Sequence, residues 1–180
     1  MEPLKKTLSI IGIILVFFIL YFLQINFFGW FNIAGVKPNL FVVLILCLGL
    51  FAGKNVAIPF GFIFGVYLDI LTGKQIGIAA IMYAAIGFLG GYFDKNFSKD
   101  SKITILLMVV GSTFLFETVV YIYTIARNMI PLQLFGFIKI LLIEIVFNVL
   151  MSIILYPLIS NVGFWLEGIF KKRKFLTRYF

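Results

Sequence analysis

The chain contains no histidine, a single cysteine and seven acidic residues among its 180. Without histidine, the commonest metal ligand and the commonest general base are both missing. Cys47 lies alone inside an apolar run, so it has no disulfide partner and reads as a small lipid-facing or helix-facing residue. Only 12% of residues are charged, and long stretches carry no charge at all. That excludes a water-soluble globule, which needs a charged surface around one core. Asp69 has no second aspartate positioned for intramembrane proteolysis, and neither an HExxH metal motif nor a serine paired with a base stands in for it. Membrane acyl or phosphoryl transfer would call for a histidine, a metal-binding acidic cluster or an anchored Arg and Lys set. The sequence therefore leads us to expect no enzyme, no metal and no cofactor.

What is abundant is apolar. Hydrophobic residues make up 63% of the chain, and mean hydropathy is +1.15, well above the roughly 45–50% apolar content of soluble domains. The formal charge is +8, but the basic residues sit at the ends of apolar runs. That pattern indicates membrane orientation and anionic headgroups, not a nucleic-acid groove. No nucleic-acid-binding motif is visible.

The runs predict an all-α integral membrane protein of about six transmembrane helices in one domain over 1–180. The helices fall near 8–28, 38–52, 56–71, 76–93, 103–126 and 134–162, with a basic tail over 163–180. Lys5 and Lys6 precede the first run as they would in a signal peptide. No small-residue cleavage site closes that run, and Gln24, Asn26 and Trp30 at its far end fit a retained helix. Pro38 suits a helix start, and Gly53 to Asn55 suit the turn of a tight hairpin. Lys74 and Gln75 break the pattern again. The sixth run exceeds one span, which predicts tilt or a bend near Pro157.

Orientation follows from the basic residues. In a six-helix arrangement one side carries eleven Lys and Arg, including Lys5, Lys54, Lys99, Lys102, Lys171 to Lys174 and Arg178. The other side carries three, Lys37, Lys74 and Arg127. The positive-inside rule then places both termini in the cytoplasm. The tail, with Trp165 and the cluster KKRK from Lys171, should lie against anionic headgroups, where each basic residue contributes about 1 kcal/mol.

Small residues recur four apart: Gly49 and Gly53, Gly61 and Gly65, Ala80 and Ala84, Gly87 and Gly91. They would let neighbouring helices approach closely in a solvent that offers no hydrophobic drive for association. Asp69, Glu117, Lys139 and Glu144 fall inside apolar runs. A charge at a helix centre there costs roughly 2.5–3.5 kcal/mol, so each needs a partner, neutralisation or a polar cavity. Asp69 would sit near the outer end, pairing with Lys139 or a nearby donor. Glu117 and Glu144 lie near mid-membrane. Thr113, Glu117 and Tyr121 form one polar stripe, and Glu144, Asn148 and Ser152 another. Spacing leaves open whether the stripes face each other, and whether the cluster is a structural core, a contact for a partner's helix or an outward-opening pocket.

Several segments carry a family resemblance: WFNIAGVKPNL (Trp30 to Leu40) with Lys37, Pro38 and Asn39, GLFAGKNVAIPFGFIFGVYLDIL (Gly49 to Leu71), and GIAAIMYAAIGFLGGYF (Gly77 to Phe93). Together with the length and the basic ends, they make the chain resemble the bacterial rod shape-determining protein MreD family. The resemblance implies a non-enzymatic scaffold of the cell-elongation machinery in the cytoplasmic membrane. Its partners would be MreC, the actin-like MreB, the glycosyltransferase RodA and a class B penicillin-binding protein. It also implies a fold similar to the vitamin-binding subunits of energy-coupling-factor transporters. Such a subunit is the alternative function, although the alanine-x-x-x-alanine docking motif of those proteins is absent from 8–28.

Overall fold

The computed structural model describes residues 2–73, 77–96, 101–129 and 131–171. Lys74, Gln75, the start of the fourth run at Ile76, Lys99, the basic residues Lys172 to Lys174 and Arg178 lie outside the described residues. Among those described, the fold is helical throughout, apart from one isolated bridge between Ile33 and Val36.

The first helix runs Glu2–Phe22, continues through a wider π turn at Leu23–Phe27 and closes with Phe28–Trp30. Ser9, Ile13 and Phe17 form its buried stripe, at the four-residue spacing that aligns side chains on one helix face. Phe17 stacks on Phe64 of the third helix, with ring centroids 3.9 Å apart. The rest of the first helix is largely exposed, as a lipid-facing surface requires.

The second helix, Leu40–Ala52, begins two residues later than expected because Asn39, not Pro38, caps it. The Asn39 side chain accepts from the Val42 N–H at 3.3 Å, the standard first-turn capping bond. Its 13 residues are almost all buried. At 1.5 Å per residue it is about 20 Å long, shorter than a hydrocarbon core of about 30 Å. A helix sheathed by protein need not match that thickness.

One residue, Gly53 at φ +88°, separates it from the third helix, Lys54–Thr72. The fourth helix is Ile78–Asn96, the fifth Lys102–Asn128 and the sixth Leu134–Phe170. The sixth has 37 residues and passes through Pro157 without interruption. Residues 163–170, expected in the tail, therefore extend the helix, because Gly163 and Leu166 are buried and continue its packing face. Among the described residues, four helices are long and apolar enough to cross a membrane: Leu4–Trp30, Lys54–Thr72, Lys102–Asn128 and Leu134–Phe170. Leu40–Ala52 and Ile78–Asp94 are shorter apolar helices.

Helices two, three and four pack backbone to backbone through glycine. A Cβ on Gly49 would stand 2.6 Å from the Gly87 carbonyl oxygen, and one on Gly61 would stand 2.6 Å from the Tyr83 carbonyl oxygen. Gly65 meets Ala80, Gly87 meets Ala57, and Gly91 meets Lys54 in the same manner. Gly53 is different: its Cβ would meet only the Lys171 side chain at 3.7 Å, so its role is the turn. Gly90 against Leu46 and Gly163 against the Phe51 ring are further close approaches outside the repeating pattern.

The far end of the second helix is tied down by Lys171, whose Nζ donates to the Leu50 carbonyl oxygen at 2.7 Å and pairs with Asp94 at 2.7 Å. A cation at a helix carboxyl end satisfies carbonyls left without intrahelical donors. Gly61→Val should force the third and fourth helices apart and lower stability by about 2 kcal/mol. A drop in the unfolding midpoint of the detergent-solubilised protein would register it, and an unchanged midpoint would contradict the packing.

Candidate functional site

The second helix starts inside the protein, so its first N–H groups cannot be left to water. The sequence supplies acceptors from two other helices. The Asn39 N–H donates to Asn148 Oδ1 at 2.7 Å, and the Leu40 N–H donates to Gln24 Oε1 at 3.1 Å. Tyr83 donates its hydroxyl to Asn39 Oδ1 at 3.0 Å. Asn148 Nδ2 in turn donates to Thr113 Oγ1 at 2.9 Å. Asn148 is fully buried, with 0% exposure, and its amide joins the second, fifth and sixth helices.

Glu117 and Glu144 lie against each other one helical turn away from the Thr113–Asn148 contact. The two polar stripes therefore face one another as an antiparallel ladder. Farther along, Tyr121 stacks on Phe137 at 4.2 Å, and its hydroxyl accepts from the Gln133 N–H at 2.9 Å.

Asp69 does not pair with Lys139. It is buried, and its carboxylate accepts from the N–H groups of Gly77 at 2.8 Å, Ala79 at 3.3 Å and Ala80 at 3.3 Å. A carboxylate at a helix amino end is stabilised by those unpaired donors and by the helix dipole. Gly77, at φ +101°, makes the approach possible. Asp69 thus joins the end of the third helix to the start of the fourth. Lys139 is exposed on the sixth helix, outside the polar core in which the sequence placed it. It lies in the second turn of that helix, where a long side chain can reach back past the helix start. Of the KPN segment, Pro38 and Asn39 are buried and Lys37 is exposed.

Beside this network lies a cleft of about 720 Å³, bounded by the first five helices. Gln24, Asn39, Asp69, Tyr83 and Arg127 contribute its polar lining, and Phe41, Leu68 and Phe116 its apolar walls. The Tyr83 and Phe116 rings stack at 5.0 Å. Gln24 and Tyr83 were not among the residues singled out from sequence. Gln24 had shown itself only as a polar interruption, while Tyr83 gave no signal in an aromatic-rich chain.

An all-helical bundle with membrane-length apolar helices, sealed inside by amide and carboxyl contacts, defines a membrane protein. The family model for the rod shape-determining protein MreD matches residues 5–162, and the chain belongs to the MreD family. That is a family of shape-determining structural proteins, which gives this chain a role in rod-shape determination within the cell-elongation machinery. No curated protein and no solved structure matches it.

Asn148→Ala removes the acceptor for a buried backbone N–H and should destabilise the folded chain by about 1–3 kcal/mol; thermal unfolding in detergent measures this. Glu144→Gln retains a hydrogen-bonding group and a similar volume. It should leave the midpoint within about 0.5 kcal/mol of the parent, and a collapse of the folded state would show that the pair needs its charge.

Proposed function

We propose that this protein is a non-enzymatic scaffold that helps maintain rod shape by organising lateral peptidoglycan synthesis with MreC. MreB, RodA and a class B penicillin-binding protein are further partners in this reading. The family match over residues 5–162 carries it, and the structure adds a physical rationale. A scaffold has to present a fixed surface. Here the interior is locked by polar contacts and glycine packing, while the first and sixth helices leave apolar faces open. Leu8, Ile11, Leu15 and Phe18 are exposed on one, and Leu142, Val146 and Leu150 on the other. Such faces suit lipid and partner helices equally, and in lipid their contacts are decided by packing and not by hydrophobic drive.

In this reading all six helices cross the cytoplasmic membrane of a bacterium, the second inside a sheath of the others, with both termini cytoplasmic. The Lys171 contacts support that arrangement, since they set the end of the sixth helix beside the Gly53 turn and Asp94. Lys54 follows directly on that turn, so basic residues gather at one end of the bundle. A six-helix fold related to vitamin-binding subunits is compatible with this layout, but the family assignment favours cell shape over vitamin transport.

Affinity purification of the tagged chain in mild detergent should retain MreC in near-equimolar amount, with RodA and the penicillin-binding protein at lower yield. Retention of none of them, together with tight binding of a vitamin, would reject the scaffold in favour of transport.

A further inference from the structure

We propose that the cleft between the first five helices binds a small organic anion with an apolar body. Ligand pockets for compact molecules run from about 300 to 1,000 Å³ and combine apolar walls with a few placed polar groups. This cleft, at about 720 Å³, falls within that range. Its floor and walls are Phe41, Leu68, Tyr83 and Phe116, surfaces suited to an aryl or short alkyl group.

The sign of the ligand follows from which polar atoms are already used. Both oxygens of Asp69 accept from backbone N–H groups at the start of the fourth helix, so the one carboxylate on the wall is already held and its charge offset by that helix end. The amide oxygens of Asn39 and Gln24 are occupied as well, by Tyr83 and Val42 and by Leu40. Their amide nitrogens make none of these bonds. Arg127 also lines the cleft, it is exposed, and no carboxylate among the described residues pairs with it. What the cleft has left to offer is therefore amide donors and the one charge not held by a partner within the protein, that of Arg127. A cation would meet Arg127 unfavourably, and a wholly apolar molecule would leave amide donors without acceptors. A carboxylate or phosphate monoester on an apolar body satisfies both the charge and the donors. The same chemistry is offered by a free organic acid and by an anionic lipid headgroup.

The full-length protein in nanodiscs of phosphatidylcholine alone, titrated by calorimetry against empty discs, tests this with 4-butylbenzoate and its neutral isostere 4-butylbenzamide. Saturable one-to-one binding of the benzoate is expected, at least tenfold tighter than the amide. Arg127→Gln, at an exposed position, should weaken the benzoate about tenfold and leave the amide nearly unchanged. Thr124→Trp, which fills the cleft, should abolish both. If phosphatidylglycerol in the discs competes the benzoate away, the anion is supplied by lipid; if it does not, by a free acid. Both results uphold the site. No saturable binding above empty discs, equal binding of acid and amide, or benzoate binding unchanged by Arg127→Gln would overturn it. So would MreC shielding Thr124→Cys from maleimide with no benzoate binding, since a partner helix would then be the occupant. These readouts concern binding alone and stand whether or not the chain acts as a scaffold.

Discussion

The arrangement depends on satisfying the amino end of one short buried helix. Leu40–Ala52 starts within the protein beside the cleft, and an unpaired amide in such surroundings costs as much as a lost hydrogen bond or more. Asn148, Gln24 and Asn39 supply the acceptors. Because Asn148 stands on the sixth helix and Gln24 on the first, satisfying those groups decides where both helices sit. Lys171 does the same at the opposite end through Leu50. The sixth helix therefore grips the second at both ends, which gives physical reason for its length.

Glycine determines how closely the remaining helices can approach. In lipid, two helices gain little from hiding apolar surface, so contact has to come from dispersion at short range and from hydrogen bonds. Gly49, Gly61, Gly65, Gly87 and Gly91 each face the backbone of a neighbour where a methyl group would collide. Helices two, three and four become one closely packed unit, and Asp69 joins two of them through Gly77 and the first turn of the fourth. The fifth helix is held to the sixth by a different means, the facing Thr113–Asn148 and Glu117–Glu144 pairs. A core built from both devices leaves its outer faces free, and a protein whose family determines cell shape has use for such faces. The cleft lies beside this core, between the glycine-packed helices, the first helix and the fifth.

Much of the fold was legible because bilayer chemistry writes itself into composition. The apolar runs correspond to helices among the described residues, four of them long enough to cross a membrane, although the first begins at Glu2 and not at 8. The misses have physical causes. Pro38 looked like a helix start, but the cap requires a side-chain acceptor, which Asn39 has and proline lacks. The sixth helix outran its apolar stretch because Gly163 and Leu166 continue a packing face that hydropathy does not register. Lys139 was grouped with the buried acids for its place in an apolar run, yet its side chain is exposed. Gly53 matched a packing spacing and serves as a turn.

By itself the sequence determined that the chain is helical and rich in long apolar segments, and which residues carry a polar group into them, since each of these follows from local chemistry along the chain. Only the tertiary structure decided the pairings: Asp69 with a helix amino end instead of Lys139, Glu117 with Glu144, and Asn148 with the start of a helix more than a hundred residues away. Spacing along a helix specifies a face but not the neighbour across from it. That neighbour is chosen by which buried donors and acceptors are left over once every helix has closed its own ladder.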